Sequence, residues 1–161
     1  MKVAILLLAA GRGTRLGTAV PKAFLPLGDR PLLVHAAVRL LAALDADDRC
    51  ELVLATHPED RQQFAEPCRA TLVTALAGRG SVHVVDGGAE RQQSMQRALR
   101  AVPDDVELVL VHDAARPFPP SRAVRECLAA AARTGAALLA VPAPDTLKRV
   151  EHGEVRGTID R

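Results

Sequence analysis

The 161-residue sequence contains three phenylalanines and neither tryptophan nor tyrosine. Since 48% of its residues are hydrophobic, the core must consist mainly of Leu, Val and Ala. The length suits a single domain with a substantial core. A net charge of +2 is too small to indicate binding to nucleic acid or to a membrane surface. No apolar run reaches the length of a transmembrane helix.

The sequence also lacks the cysteine and histidine patterns of metal sites. Cys50, Cys68 and Cys127 are odd in number and share no metal-ligand or redox spacing, so we expect free thiols and a cytoplasmic protein. The five histidines show no ligand spacing either, and we predict no metal site made of protein side chains. Met1 and Lys2 lead directly into a predicted strand, so we expect no signal peptide.

Short apolar runs alternate with helical patterns along the chain. Strands are predicted at 3–9, 51–56, 82–85, 107–112 and 136–141. Helices are predicted at 31–44, at 58–77 with a break near Pro67, at 90–102, and from a cap at Ser121 onward. This alternation predicts an α/β fold, with a Rossmann-like, mostly parallel sheet and helices on both faces. Two polar segments around a glycine turn, 146–150 and 155–159, predict a hairpin that projects from this domain.

The stretch that follows the first predicted strand has the composition of a phosphate-binding loop. Gly11 and Gly13 allow the backbone to approach a ligand closely. Three cations follow at short spacing: Arg12, Arg15 and Lys22. A P-loop is excluded because no lysine follows Gly17, and a dinucleotide fingerprint because Leu16 stands where a third glycine is required. Backbone N–H groups and cations together suit a chain of phosphates, although a glycine turn with solvated arginines is the simpler alternative for this loop alone.

Polar loops follow three of the predicted strands, at residues 10–22, 86–94 and 113–117. Ligands of parallel sheets bind beyond the carboxyl ends of the strands, so we expect these loops to converge on one cleft. In the third loop, Asp113 and Arg116 flank two alanines that would let a ligand come close. An ion pair that only ties down the loop is the alternative. Ser94 is equally compatible with an ordinary serine on a helix surface.

Four sequence blocks cover the chain in order: L-L-A-A-G-R-G-T-R-L-G with a later P-K, V-D-G-G-A-E-R-Q-Q-S (85–94), V-H-D-A-A-R-P (111–117) and D-T-L-K-R (145–149). The first block resembles the signature of sugar-phosphate nucleotidyltransferases. Together the blocks resemble the 2-C-methyl-D-erythritol 4-phosphate cytidylyltransferase family. The resemblance implies an isoprenoid-pathway enzyme that joins CTP to this polyol phosphate and releases pyrophosphate. Another polyol phosphate, such as ribitol 5-phosphate, and a non-catalytic nucleotide-binding module are the alternatives.

Such a reaction needs cations that stabilise charge on the α-phosphate and on the leaving pyrophosphate. We expect Arg15 and Lys22 to be these catalytic residues, with Mg²⁺ bridging the phosphates. The resemblance implies a set of nucleotide-binding residues: Ala9, Ala10, Gly11, Gly13, Gly88, Ser94 and Ala114. It also implies a set of acceptor-binding residues: Asp113, Arg116, Thr146 and Arg161.

The resemblance further implies a homodimer in which a β-arm, residues 143–161, wraps a second subunit. Thr146 and Arg161 would then reach the partner's substrate. Family members continue past the position of Arg161, so we expect residues 1–161 to form one nucleotidyltransferase domain that is incomplete at its C-terminal end. The family usually has an acidic residue where this chain has Ala89. If the family uses the side chain at this position, the change to alanine affects cytosine recognition. If the family uses only the backbone there, cytosine recognition is unchanged.

Overall fold

The apolar run at the start of the chain forms a central strand of a parallel sheet. In the computed structural model, which describes residues 1–11, 17 and 19–160, the elements are β1 (Lys2–Ala9), β2 (Pro26–Leu27), β3 (Arg30–Pro31), α1 (Leu32–Leu41), β4 (Arg49–Thr56), α2 (Glu66–Leu76), β5 (Gly80–Asp86), α3 (Arg91–Leu99), β6 (Leu108–Asp113), α4 (Ser121–Thr134), β7 (Leu147–Glu151) and β8 (Glu154–Ile159). The main sheet has the order β5-β4-β1-β6, and every neighbouring pair in it is parallel. The predicted α/β fold is confirmed.

Helices cover both faces of this sheet, which explains why β1 is apolar along almost its whole length. Val3, Ile5 and Leu7 belong to a core shared with α1, α2 and α4. Ala4 and Leu6 belong to a smaller core on the opposite face, shared with α3. All five side chains are fully buried. Because the strands are parallel, their carboxyl ends lie together along one side of the sheet, which is called its carboxyl edge below.

One detail of the predicted helices is wrong. Ser121 does not cap α4: it is the first helical residue, and its Oγ donates instead to the Arg39 carbonyl oxygen at 2.9 Å. The predicted break of the 58–77 helix near Pro67 is confirmed, because residues 58–65 form 3-10 and π turns and regular α2 begins at Glu66. A proline in the first turn is well tolerated, since the N–H it lacks would have no partner within the helix.

The predicted fifth strand at 136–141 is also wrong. These residues form no strand in the part of the chain that the structure describes. Leu138 is 79% exposed and Val141 is 84% exposed. A strand needs a neighbour for its backbone hydrogen bonds, and β6, the nearest edge of the main sheet in chain order, pairs only with β1 among the described strands.

The polar segments near the C-terminus form the predicted hairpin of β7 and β8. All residues from 132 to 160 are exposed. A bulge shifts the register between Arg149 and Val150, so that Leu147 lies opposite Ile159 and Val150 lies opposite Val155. Facing residues of antiparallel strands share one side of the sheet, so the two side chains of each pair lie together. Because Leu147 and Val150 are three residues apart on β7 and successive side chains alternate between faces, the hairpin exposes one apolar pair on each face. Among the helices of the described residues, none is both long enough and apolar enough to cross a bilayer.

Candidate functional site

The three polar loops line a single cavity of about 340 Å³ at the carboxyl edge of the sheet. The first loop contributes Ala9, Ala10 and Gly11, and Lys22 and Ala23 close the same side. The second contributes residues 88–91 together with Ser94 from α3, and the third contributes Asp113 and Ala115. Strands that are far apart in the sequence therefore bring together most of the residues predicted to bind a nucleotide.

The loop after β5 is held in place by the first turns of α3. Gly88 N–H donates to Ser94 Oγ at 3.0 Å, and Ser94 Oγ donates to the Glu90 carbonyl oxygen at 3.1 Å. Ser94 is 3% exposed, so it is not an ordinary surface serine. Ala89 N–H donates to Gln93 Oε1 at 3.0 Å. A Cβ on Gly88 would lie 2.3 Å from the Gln93 Cβ, which explains the glycine at this position.

Arg97 supports the same loop from one turn further along α3. Its Nη1 donates to the Gly87 carbonyl oxygen at 2.6 Å. Neither Gln93 nor Arg97 stands out in the sequence, although Arg97 lies three residues after Ser94 and therefore on the same side of the helix. That spacing was the sequence signal that could have assigned Arg97 to the loop after β5.

Lys22 is exposed at the rim of the cavity, and an aromatic contact anchors the turn that carries it. Lys22–Phe24 is a single 3-10 turn in which Ala23 and Phe24 are buried. The Phe24 ring stacks on Phe64 with 5.6 Å between the ring centroids. Two of the three phenylalanines thus position the predicted catalytic lysine. The other predicted catalytic residue, Arg15, lies outside the described residues, as do Arg12 and Gly13.

Only some residues of the loop after β6 reach the first cavity. Ala114 is fully buried and its N–H donates to the Leu8 carbonyl oxygen at 3.0 Å. Its neighbour Ala115, rather than Ala114, lines the cavity. His112 Nε2 donates to the Arg116 carbonyl oxygen at 2.9 Å and so ties the end of β6 to this loop. Arg116 Nε lies 3.2 Å from Asp113 Oδ2.

Sequence reasoning missed Arg91, although it lies within the second motif block. Its Nε and Nη2 lie 3.1 and 3.0 Å from Asp113 Oδ1. The pairing joins two loops that are 22 residues apart. A cation at the first position of a helix runs against the helix dipole, and this was the one local signal that Arg91 has a function in the site.

A second, more apolar cavity of about 700 Å³ lies beside the first, between β6 and α4. Arg116 lines this second cavity, while Asp113 lines both. Thr146 lines neither, and Arg161 lies outside the described residues. In the described ranges, no group of three or more His, Cys, Asp or Glu side chains is arranged to hold a metal ion.

Solved structures share this fold. The structure of 4-diphosphocytidyl-2C-methyl-D-erythritol synthase from Anaerococcus prevotii superposes with a TM-score of 0.74 at 23% identity, covering 98% of this chain and 63% of that one. A second structure, of a protein of the same name, gives a TM-score of 0.66 at 26% identity, covering 99% and 68%.

Sequence comparison is more specific. Residues 3–161 match the family model described as 2-C-methyl-D-erythritol 4-phosphate cytidylyltransferase. The relative of that name from Bacillus cereus is 39% identical over 154 residues, which make up 95% of this chain and 64% of that protein. The Bacillus pumilus relative is 40% identical over 95% of this chain and 63% of its own length. The chain belongs to the 2-C-methyl-D-erythritol 4-phosphate cytidylyltransferase family, and it spans less than two thirds of these relatives.

Proposed function

We propose that this chain carries the nucleotide-binding and catalytic part of a 2-C-methyl-D-erythritol 4-phosphate cytidylyltransferase. An oxygen of the acceptor phosphate attacks the α-phosphorus of CTP, the bond to the β-phosphate breaks, and pyrophosphate leaves. The products are 4-diphosphocytidyl-2-C-methyl-D-erythritol and pyrophosphate. The observation that carries this proposal is the convergence of the family's motif loops on one cavity that adjoins a second. In this proposal, residues 1–161 are one domain of the enzyme.

The attacking group needs no general base. A phosphate monoester has a second pKa of about 6 and is mostly dianionic at neutral pH. The barrier is therefore repulsion between anions, and cations must oppose it. In the proposal Lys22 and Arg15 stabilise the charge that develops on the α-phosphate and on the leaving group. The exposed position of Lys22 at the cavity rim, on an anchored turn, supports this assignment.

A divalent cation, Mg²⁺ in the proposal, fits this site through the substrate rather than through protein ligands. Two carboxylates, Glu90 and Asp113, line the cavity, and each oxygen of Asp113 already pairs with an arginine. Mg²⁺ retains several waters and is commonly bound by phosphate oxygens. When bound, it would neutralise phosphate charge during the transfer.

The two substrates are assigned to the two cavities. The backbone of Ala9, Ala10, Gly11 and Gly13 would face the phosphates, and Gly88 with Ser94 would shape the base pocket. Ala114 would sit under the ribose, with Ala115 as the residue that actually faces the cavity. Asp113 and Arg116 would bind the hydroxyls and phosphate of the acceptor. The support for this division is that Arg116 lines the second cavity and the other residues, where described, line or underlie the first.

We further propose a cytoplasmic homodimer that forms through the β-arm. Four apolar side chains of the hairpin support this, since they are 43% to 64% exposed and an isolated hairpin is marginally stable in water. In a dimer, Thr146 and Arg161 would reach the acceptor of the other subunit. The three free cysteines, of which Cys50 and Cys68 are buried, suit a reducing compartment.

The test is a comparison of nucleotides by thermal unfolding of the 161-residue chain with Mg²⁺. Ligand at about 100 times its Kd stabilises the native state by about 2.7 kcal/mol, which corresponds to a shift of several degrees. CTP should raise the melting temperature more than ATP or GTP. Equal shifts would mean that only the triphosphate is recognised, and no shift with any of the three would contradict the proposal. Pyrophosphate release from CTP and the methylerythritol phosphate, measured on a chain extended to the length of the relatives, tests the reaction itself.

A further inference from the structure

An ion pair forms the wall between the two cavities. Among the described residues, Arg91 and Asp113 line both of them. Arg91 is the first residue of α3 and Asp113 the last residue of β6. Their side chains are 62% and 36% exposed. The pair is therefore reachable from either side.

Arginines hold both oxygens of the Asp113 carboxylate. Arg91 directs Nε and Nη2 to Oδ1, at 3.1 and 3.0 Å, while Arg116 directs Nε to Oδ2 at 3.2 Å. The backbone of Arg116 is itself held by the hydrogen bond from His112. Two planar guanidinium groups on opposite oxygens fix the rotation of the carboxylate, and each oxygen keeps acceptor capacity for a hydroxyl.

Folding stability gives no reason for Arg91 to be there. Ion pairs as exposed as this one contribute little to stability. A cation at the first residue of a helix is unfavourable with respect to the helix dipole, and the acidic residue nearest to it at this end of α3 is the N-cap Glu90, outside the first turn. A side chain that opposes the preference of its own helix is better explained by the ligands of the cavities it lines.

Charge indicates what Arg91 does there. The inference rests on the proposed function, which brings a triphosphate to one side of the pair and a phosphate monoester to the other. Asp113 with its two arginines carries one net positive charge between these anions. Without Arg91 the group would be neutral, and Oδ1 of Asp113 would lose its guanidinium partner. We propose that Arg91 is a positioning residue that orients Asp113 toward the acceptor and couples acceptor binding to nucleotide binding.

The experiment measures acceptor binding by titration calorimetry on the 161-residue chain. The Kd of 2-C-methyl-D-erythritol 4-phosphate is determined alone, and again with Mg²⁺ and saturating α,β-methylene-CTP, which cannot react. The variants are Arg91→Gln, which removes the charge, and Arg91→Lys, which keeps it. The matched control is Arg100→Gln, an exposed arginine just past the other end of α3. Its separation from Arg91 along the helix is about 13 Å, beyond the screening length of about 10 Å in 0.1 M salt.

In Arg91→Gln, we expect the acceptor Kd with the analogue present to rise about tenfold, the scale of one hydrogen bond to a charged group, and to rise less without it. Arg91→Lys should recover part of this effect, because lysine restores the charge without the paired donors. Arg100→Gln should behave like the wild type, and the melting temperatures without ligand should agree. Wild-type values in Arg91→Gln, or an equal loss in Arg100→Gln, would overturn the inference and leave the proposed function standing. If the wild type binds neither ligand, the proposed function is wrong for this chain and the inference falls with it.

Discussion

A Cβ atom placed on Gly87 would lie 2.4 Å from the Cβ of Ala10. The two residues follow different strands, β5 and β1, with β4 between them, and Gly87 N–H donates to the Thr56 carbonyl oxygen at the end of β4 at 2.6 Å. The loop after β5 therefore folds back over the end of the sheet and touches the first residue after β1. This contact joins the two loops that we assign to the nucleotide.

Gly87→Ala should both destabilise the fold and weaken nucleotide binding. The added methyl group would meet the Ala10 Cβ, which cannot rotate away, and would lie 3.0 Å from Ser94 Oγ. Overpacking of this kind costs about 1–3 kcal/mol. Urea unfolding and CTP titration measure the two effects. Gly157→Ala is the control, because a Cβ there meets no atom within 4 Å; equal behaviour of the two variants would show that the contact is unimportant.

Lys22→Ala and Arg15→Ala should each lower turnover by about 10²–10³-fold, as does the loss of a single transition-state donor in other enzymes. The Lys22 change should leave the unfolding midpoint unaltered, since this side chain is exposed. Pyrophosphate release in a chain of full family length measures turnover. Arg69→Ala, an exposed cation on α2, controls for loss of charge. Near-normal turnover in either variant would remove that residue from the proposed mechanism.

The parallel sheet and the converging loops could be predicted because their signals are local. A strand buried on both faces has to be an apolar run, and the loop that follows such a strand has to lie at the ligand edge. The use of both faces by helices then follows from the alternation of elements. β1 and the segment around Gly88 illustrate this success.

The errors concern contacts between distant residues. Residues 136–141 have the composition of a strand, but a strand also requires a neighbour, and pairing is invisible in a local pattern. Ser121 could bond its own helix or another carbonyl, and the nearby Arg39 carbonyl decided this. Which of Ala114 and Ala115 faces the cavity depends on how β6 ends. The role of Arg91 can be recognised only in the folded chain, where its side chain contacts Asp113.

A polar cluster at the opposite edge of the sheet should make stability depend on pH. Glu51 accepts hydrogen bonds from Ser81 Oγ and from His83 Nε2, the latter at 3.3 Å, and Lys2 Nζ lies 3.5 Å from its other oxygen. Burial alone would raise the pKa of Glu51. The hydrogen bonds from Ser81 and His83, together with the Lys2 charge, outweigh burial and lower this pKa below its ordinary value of 4.5. The ionised carboxylate thus favours the folded state above that pH, and its contribution is lost as the pH falls through the lowered pKa.

Glu51→Gln should therefore lower the urea midpoint at about pH 7 and approach the wild type at about pH 3.5, where the carboxylate of the unfolded chain is protonated. Urea unfolding at a series of pH values measures the difference. Asp104→Asn, which removes an exposed carboxylate, should change the midpoint little at either pH. A difference between wild type and Glu51→Gln that stays constant or widens toward acid would contradict the assignment.

The hairpin arm should associate through its exposed apolar side chains. Val155 is 64% exposed and lies opposite Val150, with which it forms an exposed apolar pair on one face of the hairpin. In a twofold dimer each substitution appears twice in the interface. Val155→Lys should therefore raise the dimer dissociation constant at least about tenfold, which corresponds to about 1.4 kcal/mol. Sedimentation velocity over a range of protein concentrations measures that constant.

The control for this experiment is Val73→Lys, which introduces the same charge at a valine that is 51% exposed on α2. It should leave the dissociation constant unchanged, because α2 lies in the core domain and not in the arm. If Val73→Lys weakens association as much as Val155→Lys does, the effect is one of net charge and the arm is not the interface. A wild-type chain that stays monomeric at every concentration would show that the hairpin alone does not hold two copies together, and the dimer proposal for these 161 residues would be wrong.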